Sequence, residues 1–180
     1  GNTNDQLCFK GIIKKLSLKF GESKAVFVGD RGLISEKNID ALIASGYRFI
    51  LGFKMRTIPK ADRAALFKHG KMKPLPDTMS YRNVTYGNKS LIIYRDSERA
   101  KIDRENREQI IERIREKIHD KSIKAAVTNA DYRKYLKING DKPIIDEEKI
   151  AAEAIFDGVF VLTTNTDFHA GNVLKRYRDL

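Results

Sequence analysis

The amino-acid sequence predicts an α/β fold, and three successive segments near its start carry this prediction. Two continuous apolar runs, residues 25–28 and 48–53, are typical of strands, and the first suits a strand buried on both faces of a parallel sheet. Between them, Ser35 is placed to cap a helix that ends at Gly46. The apolar side chains of this helix share one face, at Ile39, Leu42 and Ile43. A strand, a helix and a strand in this order form a βαβ unit with parallel strands.

Further helices and strands are predicted from periodicity and turn residues. Helical patterns occur at residues 7–20, weakly at 61–67, at 99–119, and from Asp167 or Ala170 onward. Extended patterns predict a hairpin of 81–86 with 91–94, a strand at 132–138, and a hairpin of 154–156 with 159–163 around Asp157-Gly158. The interleaved charges of 99–119 indicate that this helix has a solvated face.

The chain is strongly basic, which favours a polyanionic partner. Its 180 residues include 35 Lys plus Arg and 24 Asp plus Glu, giving a net charge of +11 and a pI near 9.7. Nucleic acid or an anionic membrane face would fit this balance, and solubility alone is the alternative. Residues 54–73 are the best candidate for contacts with a phosphate backbone, with a solvated loop as the alternative. The basic residues of this segment are Lys54, Arg56, Lys60, Arg63, Lys68, Lys71 and Lys73.

Cysteine usage and hydropathy predict a cytoplasmic protein with no membrane partner. The single Cys8 has no partner for a disulfide, which indicates a reducing compartment. Neither a long apolar run nor a signal peptide is visible. The sequence also has no Cys/His cluster for zinc and no glycine-rich phosphate loop, and its three histidines lie in unlike contexts.

Asp30 is the candidate for chemistry, because it follows the first predicted strand directly. In open α/β sheets, ligands bind outside the carboxyl ends of the strands. Gly29 and Gly32 permit a tight turn around the carboxylate. Such an oxygen ligand suits Mg²⁺ or Mn²⁺, whereas a simple helix cap is the alternative. One aspartate cannot hold two metal ions, so this interpretation requires further acids from elsewhere in the fold.

Several short motifs follow one another along the chain. They are residues 1–5, 28–35 with Asn38, 46–52, 101–104 with Arg107, 157–160, Thr164-Asn165, and 177–180. In this order they resemble the central region of bacterial insertion-sequence transposases of the Asp-Asp-Glu type, which have an RNase H-like core. The resemblance covers nearly the whole chain, and its specificity lies in the succession of motifs.

The resemblance implies roles for individual residues. Asp30 would be the second of three metal-binding carboxylates, with Arg31 and Gly32 shaping its turn. Tyr177 would lead the helix that carries the catalytic glutamate, and this glutamate is expected beyond Leu180. The family usually has an arginine at the position of Leu180. The first aspartate is expected upstream of the sequence. Mg²⁺ or Mn²⁺ is therefore expected only with the complete triad, and this fragment alone is expected to be inactive.

The resemblance also implies an organisation and a reaction. Residues 1–57 would be a partial RNase H-like core, 58–153 a mixed, β-rich α+β insertion, and 154–180 the return to the core. The complete protein would cleave DNA strands and transfer them, with transposon ends and target DNA as partners and a homodimer as its assembly.

Two alternatives remain open at the level of sequence. Residues 26–30 with Ile39, Leu42 and Gly46 also resemble the last acidic motif of haloacid-dehalogenase-type phosphatases, although the nucleophilic Asp-x-Asp pair of those enzymes does not precede Asp30. The second alternative is a non-catalytic DNA-binding module, in which Asp30 only caps a helix.

Overall fold

A computed structural model describes residues 11, 15, 25–30, 35–68, 70–119, 130–139 and 142–180. The fold is mixed α/β, with one six-stranded sheet and a separate two-stranded ribbon. The strands are β1 (Val26–Gly29), β2 (Arg48–Gly52), β3 (Lys73–Pro74), β4 (Met79–Tyr86), β5 (Lys89–Asp96), β6 (Leu136–Asn139), β7 (Lys142–Ile145) and β8 (Val159–Thr164). The α-helices are α1 (Glu36–Ala44), α2 (Lys60–Lys68), α3 (Ser97–His119), α4 (Ala130–Arg133), α5 (Glu147–Ala154) and α6 (Ala170–Arg178). The helix predicted at residues 7–20 lies almost entirely outside the described residues.

Strand order in the large sheet is β1-β2-β8-β5-β4-β3, and β6 pairs with β7 in the ribbon. β1 and β2 run parallel, with Val26 opposite Arg48 and Gly29 opposite Leu51, which confirms the predicted βαβ unit. β8 is antiparallel to β2 and pairs Thr164 with Ile50. The end of β8 therefore lies beside the start of β2, and a helix that follows β8 begins at the edge opposite to the carboxyl end of β1.

The chain divides into two compact units, of which the first comprises residues 1–58, 81–94 and 160–180. Its α1 begins as predicted, because the Ser35 hydroxyl accepts a hydrogen bond from the Asn38 amide at 3.3 Å. The buried cluster behind this helix combines Leu42 with Tyr47, Phe49 and Leu51, and Phe27 of β1 packs against it. The same unit contains α6, which packs against β1 and β2.

The second unit comprises residues 59–80 and 95–159. The buried face of α3 contributes Ile111 and Ile114 to a cluster with Tyr135 and Leu136. The predicted weak helix at 61–67 is confirmed as α2, and the helix predicted at 99–119 is confirmed as α3. The predicted β-rich character of residues 58–153 is seen only in part, because the 23-residue α3 lies within it.

Three burial predictions in these elements were wrong. The apolar side chains of β1 are only partly buried, because β1 is the end strand of the described sheet. Ile43 is 55% exposed, since it lies one residue, or about 100° around the helix axis, beyond the buried Leu42. In α3, Ile102 is 47% exposed, although it shares the apolar stripe of the helix in sequence.

Of two further predicted strands, one is confirmed only in its second half and the other was wrong. Residues 132–138 begin as helix α4 and become strand only at Leu136, because Tyr132 and Tyr135 both pack toward α3 at the three-residue spacing of a helical turn. The segment 154–156 is not a strand, since α5 continues to Ala154. Asp157-Gly158 thus joins a helix to β8 and does not close a hairpin. The hairpin predicted around residues 87–90 is confirmed, with Gly87 and Asn88 forming its turn.

Candidate functional site

The carboxylate of Asp30 lies at the carboxyl end of β1 and is exposed. Its Oδ1 accepts a hydrogen bond from the hydroxyl of Tyr177 at 3.1 Å, and Tyr177 lies in the last turn of α6. Two residues that are 147 positions apart in sequence therefore meet at one edge of the sheet. Arg31 and Gly32, which were predicted to shape this turn, lie outside the described residues.

The packing of α6 explains why Tyr177 reaches Asp30. Ala170, Val173 and Leu174 are the buried residues of this helix. Tyr177 follows Val173 by four residues and Leu174 by three, so it continues the same buried stripe one turn further on. Because α6 packs on β1 and β2, this stripe crosses the sheet and places the tyrosine at the end of β1.

The first turn of α6 is fixed by tyrosines from residues 81–94. The buried hydroxyl of Tyr94 donates to the carbonyl of Ala170 at 2.8 Å. Burial, and secondarily the neighbouring Tyr81, raise the pKa of Tyr94, so its hydroxyl stays protonated and available as a donor. The hydroxyl of Tyr81 lies 3.1 Å from Nε2 of His169, the residue that caps α6.

The hydrogen bonds of His169 define its tautomer. Nδ1 accepts a hydrogen bond from the Gly171 amide at 3.2 Å, so Nδ1 carries no proton. The neutral ring then carries its proton on Nε2, which donates to the hydroxyl oxygen of Tyr81. The two rings also meet edge to face, with centroids 5.5 Å apart. His169 was placed among unassigned histidines in the sequence, and no local pattern marks it as a cap.

Side chains after β8 extend its pairing with β2. The side-chain oxygen of Asn165 accepts from the Phe49 amide at 2.7 Å, and its side-chain nitrogen donates to the Tyr47 carbonyl at 3.0 Å. Thr164 donates from its hydroxyl to the Phe49 carbonyl at 2.6 Å. One asparagine thus supplies the donor and the acceptor that a further strand residue would supply. This fixes the chain just before α6 begins.

In the second unit, two of the motifs that resemble the transposase family come together. Arg107 forms a bidentate ion pair with Asp157, at 2.5 and 2.6 Å, and both side chains are nearly buried. Hydrogen bonding to Asp157 raises the pKa of Arg107 and keeps it charged. Asp103 accepts from the Gly158 amide at 2.9 Å. Arg107 is therefore an exception to the solvated charged face predicted for this helix, because its partner lies 50 residues away in sequence.

The basic residues of 54–73 are largely accessible. The exposed ones are Lys54, Arg56, Lys60, Lys71 and Lys73, whereas Arg63 is partly buried. Lys54 and Arg56 belong to the first unit, and Lys60, Arg63, Lys71 and Lys73 to the second. Lys68 is in α2, but its side chain lies outside the described part of the chain.

Asp30 does not complete a metal site with the residues that the structure describes. Among them, no group of three or more His, Cys, Asp or Glu side chains is arranged to hold a metal ion. Mg²⁺ prefers six oxygen ligands and is usually bound by one or two protein carboxylates together with waters and substrate phosphates. At this edge of the sheet the described residues place the Asp30 carboxylate beside the hydroxyl of Tyr177. No described helix is both long and apolar enough to cross a membrane.

Comparison with known proteins gives no further guide to this site. No protein-family model, curated protein or solved structure shows significant similarity to the chain.

Proposed function

We propose that this chain is the central part of an Asp-Asp-Glu transposase, in which Asp30 is one of the metal-binding carboxylates. The observation that carries the proposal is the contact of Asp30 with Tyr177 at 3.1 Å. It connects an exposed carboxylate at the end of a parallel strand with the helix that would lead to the catalytic glutamate. The motif order that resembles the transposase family supports the same proposal.

Helix geometry adds a further argument. Tyr177 lies on the face of α6 that packs on β1 and β2, and positions seven residues apart share a helix face. If α6 continues past Arg178 in a longer protein, an acid two turns after Tyr177 would face the same side of the sheet as Asp30. The transposase family requires this placement for its catalytic glutamate. If Asp30 only capped a helix, no acid would be needed at that position.

The reaction would be hydrolysis of a phosphodiester followed by attack of the freed DNA 3′ hydroxyl on a second phosphodiester. A pair of Mg²⁺ ions bound by a complete carboxylate set would activate the attacking oxygen and stabilise the leaving oxygen. In this chain, Asp30 would supply one ligand and the exposed bases of residues 54–73 would hold phosphates. The 180 residues by themselves would cleave nothing.

The test is the cleavage of transposon-end DNA by a longer protein that includes the residues encoded before and after this sequence. We expect Asp30→Ala to abolish cleavage while DNA binding persists. Asp40→Ala is the matched control, because Asp40 is an exposed carboxylate on α1 and should leave cleavage near the wild-type rate. Full cleavage after Asp30→Ala would refute the catalytic assignment of Asp30.

A further inference from the structure

Residues 81–94 belong to the first unit although the sequence places them inside the expected insertion. We propose that this 81–94 hairpin is a positioning element of the Asp30 site: Tyr81 and Tyr94 hold the first turn of α6, and α6 thereby places Tyr177 against Asp30. The inference deepens the proposed function and rests on it for the catalytic meaning of Asp30. The contacts themselves do not depend on any function.

The hairpin forms hydrogen bonds with two successive residues at the start of α6, His169 and Ala170. Tyr94 is fully buried, is stacked on Phe160 with ring centroids 5.0 Å apart, and donates to the Ala170 carbonyl. Tyr81 is 6% exposed and accepts from His169. The Tyr94 hydroxyl is a second donor to the Ala170 carbonyl, which also accepts the helical hydrogen bond from Leu174, and the Tyr81 hydroxyl contacts the cap residue His169. Loss of the Tyr94 hydroxyl would remove a buried hydrogen bond between the hairpin and the first turn of α6.

These contacts act at a distance along a short rigid element. α6 has nine residues, and at about 1.5 Å per residue its two ends are roughly 13 Å apart. The hairpin holds one end, and Tyr177 meets Asp30 at the other. A change in the first turn is therefore transmitted as a tilt or a register shift of the helix. Tyr81 and Tyr94 would be positioning residues and would touch neither metal nor DNA.

The experiment is NMR of the 180-residue chain with ¹³C-labelled tyrosine at neutral pH. The signature is the change in the Tyr177 ring resonance caused by Asp30→Asn, because that change reports the contact between the two side chains. It is measured in the wild-type background and in Tyr81→Phe/Tyr94→Phe, which forms a double-mutant cycle. Tyr132→Phe is the control, since it also removes a tyrosine hydroxyl, but in the second unit.

We expect the Asp30→Asn signature at Tyr177 to fall at least twofold in Tyr81→Phe/Tyr94→Phe and to stay unchanged in Tyr132→Phe. An equal signature in all backgrounds would overturn the inference, as would an equal loss in Tyr132→Phe. His169→Asn is a second variant, because asparagine can still cap the Gly171 amide while the contact with Tyr81 is lost. It should reduce the signature less than the double variant does, and an unchanged signature there would exclude a role for Tyr81.

Neither Mg²⁺ nor DNA enters this readout. If the cycle shows coupling but the extended protein cleaves DNA without Asp30, the proposed function fails and the positioning role of the hairpin stands. If cleavage needs Asp30 but the cycle shows no coupling, the positioning inference fails alone.

Discussion

Gly158 is held in a conformation and a space that exclude any side chain. Its φ is +65°, and a Cβ at this position would lie 2.1 Å from the Asp96 carbonyl oxygen and 2.8 Å from the Ala100 nitrogen. Its amide donates to Asp103, while its carbonyl accepts from the Asp96 amide at 3.0 Å. Glycine is required here because two backbone segments approach each other closely, in addition to the positive φ.

We expect Gly158→Ala to lower the free energy of unfolding by about 3 kcal/mol or more, because a backbone segment must move. Gly87→Ala is the matched control: its φ is +60°, but nothing lies within 4 Å of the added Cβ. It should cost only about 1 kcal/mol for the backbone conformation. Urea denaturation measures both, and equal costs would show that close approach at Gly158 is unimportant.

The ion pair of Arg107 with Asp157 is a second contact whose loss should strongly reduce stability. Removing one member of a buried ion pair leaves an uncompensated charge, so Arg107→Met should cost about 3 to 5 kcal/mol. Arg115→Met in the same helix should cost less than about 1 kcal/mol, because its pair with Glu112 is more than half exposed on both sides. Comparable losses for the two variants in urea denaturation would contradict a structural role for Arg107.

At the scale of secondary-structure elements, the junction of β8, β2 and α6 depends on Asn165. We expect Asn165→Ala to destabilise the protein by about 2 kcal/mol, because a backbone donor and a backbone acceptor lose their partners. Asn165→Asp tests the two bonds separately, since it can accept from Phe49 but cannot donate to Tyr47. We therefore expect the Phe49 amide to exchange faster in Asn165→Ala but not in Asn165→Asp, which keeps its acceptor. Unchanged exchange at Phe49 in both variants would contradict it.

The elements that the sequence predicted correctly are those whose signals are local. The order β1, α1 and β2 follows from two apolar runs, a serine cap and a permissive glycine, all within residues 25–52. The site could be predicted only as far as Asp30, because its strand ends where ligands bind in such sheets. The family resemblance assigned Asp30 and Tyr177 to one catalytic region but did not predict that their side chains are in contact. The geometry of this contact requires knowledge of where α6 crosses the sheet.

The errors have a physical cause as well. Asp157-Gly158 satisfies the turn chemistry of a hairpin, but a glycine with positive φ equally well follows a helix. Local sequence does not distinguish these cases, because the deciding partners, Asp103 and Arg107, lie in α3. The same holds for Tyr81 and Tyr94, whose role depends on α6, a helix 76 residues beyond Tyr94.

At the scale of the whole molecule, the net charge of +11 predicts salt-dependent binding of DNA. Lys54→Ala/Arg56→Ala should reduce the slope of log affinity against log salt concentration by about 2, or about one per phosphate contact. Lys101→Ala is the control for lost charge, because its amine pairs with Glu98 at 2.8 Å. An equal change in slope for the control would show that the effect comes from net charge alone.

Paramagnetic broadening by Mn²⁺ in the NMR spectrum of this chain tests whether the Asp30 carboxylate is a metal ligand, as we propose. A single carboxylate binds weakly, but trace Mn²⁺ broadens the signals nearest to it. We expect the amide signals of Gly29, Asp30 and Tyr177 to broaden first, and we expect Asp30→Ala to remove this effect while Asp40→Ala does not. Broadening that centres on other acids, or that persists after Asp30→Ala, would show that Asp30 is not the metal ligand.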